Sequence, residues 1–120
     1  MTPTPNPKVV AKALGELAAT VKHVISQGRE LFLSDSSEAE LLYLASCQVI
    51  IRLQAMLEDL PAETLARCAD LPLAEVRGMR NRMAHGYLDI DKSMLWETMS
   101  HEIIPLIENI LRKIENYRKP

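Results

Sequence analysis

Aromatic side chains make up only 4% of the 120 residues, and glycines number four. A core must therefore be assembled from Leu, Ile, Val, Ala and Met. Scarce glycine with abundant Leu, Ala and Glu points away from turn-rich sheets and toward an all-helical class. The two cysteines, Cys47 and Cys68, show no C-x-x-C spacing and are too few for a disulfide framework. Both thiols are expected to be reduced, with the cytoplasm as the default compartment. No apolar run approaches the roughly 18 residues that a membrane span requires. The stretch from Met1 to Pro7 has no basic segment leading into an apolar one, so no signal peptide is expected. No glycine-rich phosphate loop, internal repeat or low-complexity run is present. Positive charge is not in excess either: net charge is −2 and the isoelectric point is about 5.9. That balance argues against a general nucleic-acid coat protein. It leaves room for an enzyme that grips a short piece of RNA through a local basic patch.

What is present is apolar helix after apolar helix, within the span of one domain. Residues 1–7 read as a loose arm because Pro3, Pro5 and Pro7 oppose helix and strand alike. Residues 8–120 read as a single helical domain. Asn6-Pro7 suits an N-cap followed by the first helical position. Val10, Leu14, Leu17, Val21, Val24, Gly28 and Leu31 then form one seam at three-four spacing, giving a first helix to about Leu33. His23 sits beside that seam, where a solvated role is expected.

Asp35 to Glu38 has a capping-box pattern and opens a second helix to about Leu60. This helix carries two apolar stripes: Leu42, Ala45, Val49, Met56 and Leu60, and Leu41, Leu44, Ile51 and Ala55. Such a wide arc needs cover on two sides, from another helix or from a second copy of the chain. Cys47, in the same helix, is expected to pack. Pro61 starts a short helix, and Pro72 starts a fourth whose apolar face is Val76, Met79 and Met83. Gly86 is its expected left-handed stop. Asp91 is placed to cap the last helix, whose stripe runs from Trp96 to Tyr117. Pro105 inside it predicts a kink or a break just before it. His101 lies off the stripe. The sum is an antiparallel bundle of three long helices and one or two short ones.

Chemistry concentrates in Met79-Arg80-Asn81-Arg82-Met83-Ala84-His85-Gly86-Tyr87. An imidazole exchanges protons near neutral pH, and a guanidinium matches phosphate geometry. The structural alternative is that an Arg and a His near a helix C-terminus satisfy orphan carbonyls and complement the dipole. Five residues separate Arg80 from His85, about 140° around an ideal helix, so they do not converge automatically. Arg80 lies near the edge of the Val76/Met79/Met83 face, where partial shelter would strengthen it as an anion clamp. Asn81 could orient either neighbour or hold a phosphate oxygen.

The pattern Arg80-Asn81-x-x-x-His85-x-Tyr87 resembles the R-polar-x-x-x-H-x-Y signature of the HepT-like toxins, small helical proteins of the HEPN superfamily. The run Glu75-Val76-Arg77-Gly78-Met79, Asp89-x-Asp91, and Leu95-Trp96 ahead of Ile104-Pro105-Leu106 are also similar to that family. The resemblance is detailed over residues 72–107 and elsewhere extends only to the helix pattern. Two departures stand out. A Gly-Glu-Ala frequent in the family's second long helix is absent, where this chain reads Val49 to Gln54. Leu73 also stands where many members have Trp. The resemblance implies a metal-independent endoribonuclease, without a cofactor, acting as the toxin of a type VII-like toxin–antitoxin pair. It implies a minimal nucleotidyltransferase (MNT-type) antitoxin as partner, and AMP transfer onto Tyr87.

The residues agree with that implication. Cleavage of RNA by its own 2′-hydroxyl needs a base, an acid, and a cation for charge building on phosphorus. His85 can serve as base or acid and Arg80 as the cation, but one histidine cannot easily do both jobs. A two-fold homodimer would supply two copies of each across one cleft. The absence of a Cys/His/Asp metal cluster fits metal-free cleavage. AMP on Tyr87 would bring a negative phosphate to the arginine and exclude RNA. The alternative is a non-catalytic helical partner of a nucleotidyltransferase, with Arg80 and His85 capping a helix or holding a nucleotide phosphate. A third option is a purely structural dimeric bundle.

Overall fold

The computed structural model describes residues 6–85 and 90–118, with side chains through residue 114. Seven helical segments follow in order: α1 (Pro7–Ser26), α2 (Arg29–Phe32), α3 (Ser37–Asp59), α4 (Ala62–Arg67), α5 (Leu73–His85), α6 (Lys92–His101) and α7 (Ile103–Arg118). The described residues contain no strand, and the architecture is an all-α, HEPN-like bundle about a single apolar core.

Local chemistry sets most of the boundaries. The Asn6 side chain accepts a hydrogen bond from the Lys8 amide at 2.8 Å, with Pro7 in the first turn. Asp91 accepts from the amides of Ser93 and Met94 and starts α6. Pro105 does divide the last helix: α6 ends at His101, and Pro105 falls in the first turn of α7, where its missing N–H has no helical partner to lose.

Two boundaries differ from the sequence reading. The first helix does not run to Leu33. Gly28 has φ 88°, a left-handed conformation that ends α1 and redirects the chain into the single turn of α2. The redirected turn places Phe32 in the core, 5.3 Å from Trp96 between ring centroids. The cap of α3 is Ser36 rather than Asp35: its hydroxyl accepts from the Ala39 amide at 3.0 Å. Of the arm expected over residues 1–7, Asn6 and Pro7 are the cap and first residue of α1, and Met1 to Pro5 lie outside the described residues, as do Gly86, Tyr87, the Leu88-Asp89 link and the side chain of Tyr117.

Part of the core comes from the predicted stripes: Leu14, Val21 and Val24 of α1, Leu42 and Val49 of α3, Met99 of α6 and Ile110 of α7 are buried. Ile50 and Leu53 of α3 and Ile107 of α7, which fall in none of those stripes, are buried as deeply. α1 packs on α3, α6 and α7, whereas α5 packs principally on α3. Arg29 donates to the Ser93 hydroxyl at 3.3 Å, and the Lys92 ammonium lies 5.1 Å from the Tyr43 ring centroid. These contacts gather α2, the start of α3 and the start of α6 at one end of a 50 × 28 × 26 Å body. The turn leading into α5 is tied to α7 by Asp70 and Lys113 at 3.1 Å. The hydrogen bond from Lys113 holds the Asp70 carboxyl below its ordinary range.

α3 is more apolar than the core requires. By length and composition it could cross a membrane, contrary to the sequence reading, yet 44% of its most apolar stretch is buried within the bundle. Of its two stripes, the second is split: Leu41 is 67% exposed and Leu44 52% exposed, whereas Ile51 is partly buried against the core. Among the described residues, no helix covers Leu41 and Leu44.

Gly28→Ala should cost about 1–2 kcal/mol in urea unfolding. A Cβ there meets no atom within 4 Å, so the loss reports backbone strain alone.

Candidate active site

α5 begins where Val76 donates its amide to the Pro72 carbonyl and stays helical through His85. Val76 and Met83 are buried, and Met79 packs partly buried against the same core. This is the predicted apolar face, and it fixes where every polar side chain of α5 points. At 100° per residue, Arg77, Asn81 and His85 fall on the opposite, outward face, spread over about 80°. All three are exposed. Arg80 is partly buried on the flank of the apolar face, about 40° from Val76.

Arg80 and His85 do not converge through a loosened helix end, because α5 is still helical at His85. What links Arg80 to the outward face is Asn81. The Arg80 guanidinium donates from Nη1 to Asn81 Oδ1 at 2.9 Å. The bond draws the cation over the face that carries His85. The remaining guanidinium N–H groups are available for an anion, since Arg80 makes no ion pair among the described residues. Neither Arg80 nor His85 hydrogen-bonds a helix carbonyl among the described residues, although His85 lies in the last turn of α5, where a basic side chain complements the helix dipole. Arg77 was not singled out from the sequence. Its spacing of four from Asn81 and eight from His85 is the signal that places it on their face.

The arrangement can hold a phosphate oxygen on Arg80 and present an imidazole to a nearby hydroxyl. Among the described residues no group of three His, Cys, Asp or Glu side chains could hold a metal ion. His23 is exposed, and exposed His101 sits 3.3 Å from Glu97 in an i,i+4 pair.

The fold is a small all-α bundle that presents an arginine–asparagine–histidine surface on one helix. The HepT-like ribonuclease family model matches residues 21–114, and the chain belongs to that family. A curated protein of Caldanaerobacter subterraneus subsp. tengcongensis, named as a candidate RNase, is 32% identical over 57 residues. That match covers 48% of this chain and spans half the relative's own length. No solved structure matches the chain.

If the polar face of α5 serves chemistry and not folding, Asn81→Ala and His85→Ala should change unfolding free energy by no more than about 0.5 kcal/mol. Met83→Ala should lose about 2–4 kcal/mol in the same urea titration.

Proposed function

We propose that this chain is an endoribonuclease toxin that acts in the cytoplasm as a homodimer, with Arg80 and His85 as its catalytic pair. The observation that carries the reading is the Arg80–Asn81 bond beside an exposed imidazole, on a helix whose other face is committed to the core. Membership of a ribonuclease family supports it.

One imidazole takes the proton of a ribose 2′-hydroxyl, and the 2′-oxygen attacks the adjacent phosphorus. The bond to the 5′-oxygen breaks, and a second, protonated imidazole gives that oxygen its proton. The products are a 2′,3′-cyclic phosphate end and a 5′-hydroxyl end. Arg80 offsets charge on the non-bridging oxygens as the pentacoordinate state forms, and Asn81 keeps its guanidinium in place. The second imidazole is His85 of another copy. The exposed Leu41/Leu44 stripe of α3 gives a reason for two copies to meet, since covering each leucine is worth about 1–2 kcal/mol.

Neutralisation by a nucleotidyltransferase partner follows from the same electrostatics. AMP on Tyr87, two residues beyond His85, would carry a phosphate to Arg80 and occupy the place of the RNA backbone. The rival reading, a non-catalytic helical partner of such an enzyme, draws on the wide angle between Arg80 and His85 within one chain.

Purified protein should cleave single-stranded RNA. His85→Ala should lower the rate by about 10²–10⁴-fold and Arg80→Ala by about 10²–10³-fold. Cleavage that survives both substitutions would contradict the assignment, and a folded dimer that never cuts RNA would favour the rival. Leu41→Lys with Leu44→Lys should convert a dimer to a folded monomer in sedimentation and abolish cleavage with it.

A further inference from the structure

Between α5 and the α6–α7 rod lies a groove of about 480 Å³ that the Arg80–His85 surface does not use. It exists because α5 leans on α3 and makes little contact with α6 or α7. Ile50 forms part of the floor, Val76 and Met79 one wall, and Ile103 and Leu106 the other. Two other polar groups of the lining are already engaged. The Thr98 hydroxyl donates to the Met94 carbonyl at 3.0 Å, and Asn109 Oδ1 accepts from Arg112. The exceptions are Glu75 and Glu102, one on each wall. Both are exposed, and neither joins an ion pair among the described residues. Glu75 lies in the first turn of α5, where the dipole favours a carboxylate, whereas Glu102 sits between the end of α6 and the start of α7, where the two dipoles oppose. The dipoles account for Glu75 but not for Glu102 or for the unfilled apolar volume between the two.

Volume and charge select an occupant. On one side the groove is lined by Leu71 and Pro72 of the turn before α5 and by Glu75, Val76 and Met79 of the helix itself. Its volume lies within the range of roughly 300–1,000 Å³ usual for ligand pockets. A nucleic-acid backbone would be repelled by the two carboxylates. We propose that the groove docks a segment of a partner protein that inserts one or two large apolar side chains and flanks them with lysine or arginine. A segment clamped here bears on α5, the helix that carries Arg80 and His85, so the groove is a place from which a protein partner controls that surface. The proposal does not depend on the protein being a nuclease.

The test uses the full chain with labelled methyl groups and a short leucine–lysine peptide, beside a leucine–glutamate peptide of the same pattern. The lysine peptide should shift the methyl signals of Met79, Ile103 and Leu106. The double variant Glu75→Lys/Glu102→Lys should weaken its binding by at least about tenfold, and Glu75→Gln/Glu102→Gln should lie between, with helical content unchanged in all three proteins. Equal binding of the glutamate peptide would overturn the proposal, as would shifts confined to Leu41 and Leu44 or no binding. The same shifts produced by raising protein concentration alone would assign the groove to a second copy and overturn it too.

Discussion

The seating of α5 on α3 through Val76 and Met83 is the constraint on which the rest depends. α5 is thirteen residues long, too short to be a stable helix alone in water. Its helicity comes from that apolar contact and from the Pro72 start. Once Val76 and Met83 are buried, the helical period settles the directions of the others. Arg80 goes to the flank, and Arg77, Asn81 and His85 go to solvent. Because the contact is principally with α3, the side of α5 that faces α6 and α7 stays open as a groove. One packing decision thus produces both the polar surface of α5 and the cavity beside it.

α3 plays the complementary part. Its inner face carries Ile50 and Leu53 into the core, while Leu41 and Leu44 point outward into water. A lone bundle has no use for exposed leucines a turn apart on its longest helix. A dimeric one does, and the chemistry proposed for this family member needs two imidazoles where one chain supplies one. The structural oddity of α3 and the chemical incompleteness of α5 have the same remedy.

Much of the fold was legible in advance because its signals are local. Asn6, Asp91 and Pro105 act within one helical turn of themselves, and each did what its chemistry dictates. Gly28 was read through because the apolar spacing continues past it: Val24 and Leu31 stay on pattern whether or not the axis bends between them. Ser36 and Asp35 are both good caps one residue apart, and only the backbone conformation chose between them. The pertinent residues of the candidate site were visible through their resemblance to a family. Their relation in space was not. The spacing of five placed Arg80 and His85 on different faces; by its chemistry Asn81 could orient either neighbour or hold a phosphate oxygen, and only the structure shows that it accepts from Arg80.

The central claim is that two copies of His85 work in one groove. The most direct test mixes wild-type chains with His85→Ala chains in equal amounts, lets subunits reassort, and measures RNA cleavage against an equal total of wild type. If each cut needs both imidazoles, only wild-type pairs are active and the rate falls to about a quarter. A rate of about one half would mean that each chain cuts on its own and would contradict the account.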